Sequence, residues 1–281
     1  MKNYFGHKIY SPFEILKEEK IRAPIIKAID RIFKELCIQD NIKESILNDL
    51  FNMKNKINES QYENYLRKII KCEIKKSNLK KAFVNRAKII ARQVSPFIIG
   101  DSIIDIGCGD GLVNRYLNKK VEKIHLIDIF KYVEKNLPYK FSLYKENSSF
   151  PQVPNADTTF LLTVLHHSKK PLHLIKETSI KTNCRTIIIE SIYGSTRNPH
   201  KSSEELNALN IVQQRKYASF IDWFYNRVLH SNVQVPYNFQ KPEVWETIFQ
   251  KQGYAIHKSI DLGIDQNIVP ERHFLFVLDK T

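Results

Sequence analysis

No apolar run in this chain approaches the ~20 residues needed to cross a bilayer, which excludes a membrane-spanning helix. Its first residues, Met1-Lys2-Asn3-Tyr4, lack the charged-then-apolar pattern of a secretion signal. Cysteine is sparse: Cys37, Cys72, Cys108 and Cys184 are scattered without Cys-x-x-Cys spacing. Neither a zinc site nor a disulfide framework is indicated, and no cluster of acids and histidines marks another metal site. These absences imply a reduced, cytoplasmic protein that needs no metal. Glycine is also scarce, with eight residues in 281, yet three of the eight fall between positions 107 and 111.

Acidic residues are in deficit. Against 44 Lys and Arg stand 30 Asp and Glu, a net charge of +14. Residues 1–98 hold 21 basic and 11 acidic side chains, whereas residues 99–281 hold 23 and 19. Most of the excess lies between Arg67 and Arg92, with Lys68, Lys71, Lys75, Lys76, Lys80, Lys81, Arg86 and Lys88 among them. Such a stretch can bind a polyanion. Its aromatics do not interleave with the cations as a base-stacking surface requires. A solvated helix face is therefore the favoured reading, with nucleic-acid binding the alternative.

What is present is ordered by periodicity. Residues 12–57 repeat apolar side chains at helical spacing: Ile21, Ile25, Ile29, Ile32, Phe33 and Leu36, then Ile42, Ile46, Leu47, Leu50 and Phe51. Asn41 and Ser60 are candidate helix N-caps, and Pro12 and Pro24 suit first turns or short breaks. A further helical stretch runs from Gln61 to Val94, and Pro96 and Gly100 end it. Residues 1–98 thus read as an all-helical cap. Strands are expected at 102–106, 124–128, 141–145, 158–164 and 185–190, with helices near 111–119, 130–136 and 170–180. Residues 253–259 and 273–279 form a candidate antiparallel pair. Residues 99–281 are the expected α/β domain.

Residues 102–111, Ser-Ile-Ile-Asp-Ile-Gly-Cys-Gly-Asp-Gly, carry most of the chemical information. A β-branched run enters a glycine turn, and a helix follows. That is the nucleotide cradle of doubly wound folds, in which small residues let a ligand approach the backbone. The dinucleotide fingerprint Gly-x-Gly-x-x-Gly is not met, because its last position is Leu112. Asp105 and Asp110 flank the glycines and would repel a diphosphate, but would attract a ligand with an ammonium and a sulfonium. Asp128 closes a second apolar run about 20 residues on, where an acid accepts hydrogen bonds from ribose hydroxyls. S-adenosylmethionine has these features: an α-ammonium, a positive sulfur, a ribose and no phosphate.

Residues 102–111 resemble motif I of the class I S-adenosylmethionine-dependent methyltransferases, and Ile124–Asp128 resembles the acidic strand that follows it. Ala156–Leu162 with Val164-Leu165-His166-His167 resembles the "fourth strand then Leu-His-His" stretch of the quinone- and natural-product-type branch. Together the resemblance covers roughly residues 85–281. It implies an α/β fold with a doubly wound, Rossmann-like seven-stranded sheet in the order 3-2-1-4-5-7-6, last strand antiparallel. The implied cofactor is S-adenosylmethionine, leaving as S-adenosylhomocysteine. The expected cofactor residues are Asp105, Gly107, Cys108, Gly109, Asp110, Gly111, Asp128, Ile129 and Thr163, with Cys108 read as a packing residue. Glu146 or Asn147 is expected to read the adenine amino group. Where the family often has Pro-Gly-Gly before the fifth strand, Thr182-Asn183-Cys184 stands, so that connection must be shorter or different.

Methyl transfer asks the protein to align the nucleophile and exclude water, and a base is needed only if the acceptor must lose a proton. His166 and His167 follow the fourth strand and are the candidate bases. Packing of the strand end is their alternative role. An insertion at about 192–245 is rich in aromatic and polar residues and is expected to cover the substrate. Its acceptor-binding candidates are Tyr193, Asp222, Tyr225, Arg227 and His230, together with His167, and most of its aromatics are expected to form its own core. No Asn/Asp-Pro-Pro-Tyr/Phe motif, no cysteine placed for attack on a pyrimidine and no Lys-Asp-Lys-Glu tetrad is present. A small or medium organic molecule methylated on O, N or C is the expected acceptor. The alternatives are an RNA or protein acceptor docked through the basic helices, and a non-catalytic cofactor-binding protein.

Overall fold

A computed structural model describes the chain apart from residues 53–57, 119, 134–136, 146–148, 195–199, 231, 232 and 234, and the side chains of residues 76 and 77. The helices are α1 (Pro12–Leu16), α2 (Glu19–Glu35), α3 (Asp40–Asn52), α4 (Glu59–Glu73), α5 (Lys76–Val94), α6 (Leu112–Arg115), α7 (Pro171–Lys181), α8 (Glu204–Asn207), α9 (Ile211–Trp223) and α10 (Pro242–Lys251). The strands are β1 (Ser102–Ile106), β2 (Lys123–Asp128), β3 (Lys140–Leu143), β4 (Ala156–Leu162), β5 (Thr182–Ser191), β6 (Tyr254–Gly263) and β7 (His273–Lys280). Two compact units result, each drawn from separated stretches of chain. Residues 1–86, 192–239 and 263–272 form a helical unit, and residues 87–191, 240–262 and 273–281 form a sheet unit. These boundaries differ from the expected ones: the end of α5 groups with the sheet, and residues 192–239 group with the N-terminal helices.

In the sheet unit the strand order is β3-β2-β1-β4-β5-β7-β6, as the resemblance implied. Strands β1 to β5 run parallel, and β7 pairs antiparallel with β5, Ile187 opposite Val277 and Ile189 opposite Leu275. The central strands are near-continuous apolar runs because a parallel sheet is covered on both faces. Ile103, Ile104, Phe160, Leu161, Ile187, Ile188 and Ile189 are all buried. Each such side chain contributes roughly 1.5–3 kcal/mol by leaving water. Trp245 and Phe249 of α10 are buried, and Phe249 meets Phe276 of β7 edge-on, ring centroids 5.2 Å apart.

Two expected helices are cut short because local hydrogen bonds compete with the helix ladder. Helix α6 stops at Arg115, and the Asn118 amide donates to the Ser95 hydroxyl at 3.0 Å. Residues 130–133 are not helical: the Phe130 amide donates to the Asp128 carboxylate and the Tyr132 amide to the Phe130 carbonyl. Residues 134–136 of that expected helix lie outside the described residues. Between α7 and β5 there is no loop, because Thr182 caps the helix through its amide to Thr178 and also begins the strand.

A large hydrophobic core holds the helical unit. Ile21, Ile25, Ile29, Ile32 and Phe33 line the buried stripe of α2, and Tyr62, Leu66 and Ile70 that of α4. Against them lie Tyr217, Phe220, Ile221 and Trp223 of α9 and Phe224 of the π-helix that continues it to His230. The Phe33 and Phe224 rings are 6.3 Å apart, and Tyr62 stacks on Trp223 with planes 1° apart. Ser11 with Glu14, Asn58 with Gln61 and Asn210 with Gln213 close capping boxes at α1, α4 and α9. Helix α4 is thus capped by Asn58 and not by the expected Ser60: the Asn58 side chain accepts from the Gln61 amide, and the Gln61 side chain accepts from the Asn58 amide. Helix α3 starts at Asp40, before the expected Asn41 cap.

Candidate functional site

The C-terminal ends of β1, β2, β4 and β5 lie side by side in the sheet unit, where open α/β sheets bind ligands. The first of these ends is the glycine turn. Gly107, Gly109 and Gly111 have φ of 72°, 56° and 75°, a left-handed conformation that side chains resist. At Gly107 a Cβ would sit 2.5 Å from Val164, and at Gly111 one would sit 2.9 Å from Leu137. At Gly109 it would meet nothing within 4 Å. Two glycines therefore allow close packing, and the middle one faces open space.

The amides of this turn are committed to the protein itself. Gly107 and Cys108 donate to the Ile127 carbonyl at 2.7 and 3.1 Å, and Gly111 donates to Cys108 at 2.9 Å. The Gly109 amide donates to Asp128 Oδ2 at 2.8 Å, and that of Leu112 to Asp110 Oδ1 at 3.0 Å. Asp128 also accepts from the Phe130 amide on Oδ1 at 3.2 Å and from the Ile129 amide. Burial holds the Asp128 carboxyl above its usual range, against the pull of its backbone donors. Asp105, buried one residue before the end of β1, accepts from the Asn114 side-chain amide of α6. Burial pushes its carboxyl up to about 7, and the charges of Asp128 and Asp110 add to the rise. The Cys108 thiol is buried and held well above its ordinary range, which suits the expected packing role.

After β4 the backbone turns sharply at Thr163, whose φ is 61°. Its amide donates to the Ile189 carbonyl at 2.6 Å. Leu165, His166 and His167 form one 3-10 turn. His166 is buried and His167 half-buried, their rings 4.1 Å apart. Beneath them lies Glu190 of β5, fully buried. Its Oε1 accepts from the Val164 and Leu165 amides at 2.9 and 2.6 Å, and its Oε2 lies 2.6 Å from His166 Nδ1. Burial raises the Glu190 carboxyl to about 7, opposed by those backbone donors. The sequence reading missed Glu190 and Asn114. Glu190 had a usable signal, since it ends the run Ile187-Ile188-Ile189 as Asp128 ends its own.

Ile129 is half-buried directly after β2, beside Asp128. Glu146 and Asn147 lie outside the described residues. The remaining acceptor candidates belong to the helical unit. Tyr193 packs with Ala218 and Phe239, and meets His7 edge-on. Asp222 accepts from the Asn226 side chain at 2.6 Å, one turn along its own helix. Arg227 pairs with Glu63, which also takes Arg67. Tyr225 and His230 gather around the Phe83 ring, at centroid distances of 6.5 and 5.3 Å.

The strand order, with its parallel strands and one antiparallel strand, defines a Rossmann-like α/β fold. No family model and no curated protein matches the chain. Solved structures do. The [4+2]-cyclase SpnF is similar at 12% identity over 69% of this chain and 80% of its own, with a TM-score of 0.46. An S-adenosylmethionine-dependent methyltransferase from Mesorhizobium loti is similar at 12% identity over 68% and 96%, TM-score 0.43. Magnesium protoporphyrin IX methyltransferase from Synechocystis, with bound cofactor, is similar at 11% over 72% and 82%, TM-score 0.44.

Proposed function

We propose that the chain is an S-adenosylmethionine-dependent methyltransferase acting on an O, N or C atom of a small or medium organic acceptor. One observation carries the reading: five amides of the glycine turn donate to protein acceptors, while three carboxylates surround it. A phosphate cradle needs those amides directed at its ligand. Here the turn offers negative charge, glycine surface and the Asp128 carboxylate. That suits a cationic nucleotide without phosphate.

When bound, S-adenosylmethionine supplies an activated methyl group whose carrier leaves uncharged. Asp128 would hold the ribose hydroxyls, Gly109 would admit the ligand to the backbone, and Asp110 would face the positive groups. Asp105 supports the turn through Asn114. Ile129 and Thr163 border this cradle, and Glu146 or Asn147 would take the adenine. His166 or His167 would remove a proton from an acceptor that must lose one. In the helical unit, Tyr193, Asp222, Tyr225 and His230 remain the acceptor candidates, and Arg227 would have to exchange Glu63 for a ligand. Nucleic acid is the less favoured acceptor, because Arg67 and Arg86 of the basic stretch already bond to Glu63 and Gln266.

Calorimetric titration tests the reading. We expect micromolar binding of S-adenosylmethionine and S-adenosylhomocysteine, none of NAD, and loss of binding in Asp128→Ala. Tight binding of NAD would overturn it.

A further inference from the structure

We propose that Glu190 is a positioning residue that fixes His166 in one tautomer, with the proton on Nδ1 and the lone pair on Nε2. The inference rests on the reading of His166 as the base of a methyl transfer, and it deepens that reading by naming the nitrogen that accepts. Glu190 Oε1 already takes two amides, from Val164 and Leu165, at 2.9 and 2.6 Å. Those bonds fix the carboxylate plane. Oε2 then lies 2.6 Å from His166 Nδ1. Above about pH 7, where the buried Glu190 carboxyl is ionised, it has only lone pairs to offer, so Nδ1 must donate, and a neutral ring that donates from Nδ1 has its lone pair on Nε2. Both partners are buried, which keeps water from substituting for either.

The surroundings lock the pair. Thr163 is held at positive φ while its amide bonds to Ile189, so the turn carrying His166 is tied twice to β5. The His167 ring covers His166 at 4.1 Å. A base must present a lone pair to the proton it removes. As Nε2 forms its bond to hydrogen, the bond from that hydrogen to the acceptor's oxygen, nitrogen or carbon breaks. The ring becomes cationic, and the carboxylate at Nδ1 balances the charge.

The Glu190→Gln variant separates positioning from packing. Its amide oxygen must stay with the two backbone donors, which leaves the NH2 group facing Nδ1. That group can only donate, so Nδ1 must become the acceptor and the proton must move to Nε2. Nitrogen-15 NMR of the full chain with labelled histidine, at about pH 8 where an unpaired histidine is neutral, reads the tautomer directly. The His166 signals are those missing in His166→Asn. We expect a pyrrole-type Nδ1 and a pyridine-type Nε2 in the wild type, and the reverse in Glu190→Gln. A pyridine-type Nδ1 in the wild type, a doubly protonated ring, or an unchanged tautomer in Glu190→Gln would each overturn the inference. If Glu190→Gln does not fold, the wild-type spectrum still decides it. Calorimetry with S-adenosylmethionine on the same samples judges the methyltransferase reading separately.

Discussion

Glycines 107 and 109 share a backbone conformation, but their surroundings differ, and so do the costs of changing them. A methyl group at Gly107 collides with Val164, the residue that leads into the histidine turn. Gly107→Ala should therefore destabilise the sheet unit by about 2–4 kcal/mol, clash and strained φ together. At Gly109 only the φ penalty applies, about 1 kcal/mol, but the methyl enters the space left for a ligand. Gly109→Ala should keep most of the stability and lose most of the S-adenosylmethionine affinity. Denaturant titration and calorimetry on the two variants measure the crossover. Equal losses of stability would refute this division of roles.

At the scale of elements, the two tryptophans report on different units: Trp223 lies in the helical unit and Trp245 in the sheet unit. With Trp245→Phe as background, fluorescence follows the helical unit alone. Phe224, fully buried against Phe33 and Phe220, should cost about 3–5 kcal/mol when truncated to Ala. Asn210→Ala, which opens the capping box of α9, should cost about 1 kcal/mol in the same assay. The strands were legible from the sequence because β-branched runs bounded by turn residues have few alternative readings. The short helices were not. Whether α6 extends past Arg115 depends on a serine hydroxyl, Ser95, that sequence spacing does not bring into view. Residues 217–223 of α9 are buried without a break, so their spacing does not reveal that α2 and α4 lie against them. Glu190 is marked in the sequence only as the acid that ends an apolar run, and its partners appear only when the Val164 and Leu165 amides arrive from the turn after β4.

The whole molecule carries two opposed sets of carboxyls. In the sheet unit Asp105 and Glu190 both rise to about 7 from ordinary values of 3.8 and 4.5. Over the interval between those values the folded unit binds protons that the unfolded chain has released. Stability is therefore lost as pH rises from about 4 toward 7. In the helical unit Glu14, Glu18 and Asp30 are held below their usual range by Ser11 and Lys8, by Lys216 and by Lys34 and Lys43. Their contribution is intact above the ordinary carboxyl range and is lost as pH falls below it. Between about pH 5 and 7 the transition reported by Trp245 should move to lower denaturant, while that reported by Trp223 stays in place. Parallel movement of both would show that the two buried acids do not govern the sheet unit.

The core of the helical unit has a consequence for the order of events during synthesis. Its walls come from residues 1–86, 192–239 and 263–272, so Phe33 and Tyr62 leave the ribosome long before Trp223 and Phe224 exist to cover them. The sheet waits in the same way, because β7, made after β6, inserts between β5 and β6. Contacts this distant in sequence slow folding and prolong the exposure of apolar surface. Both cores stay incomplete until residues 263–281 have been made.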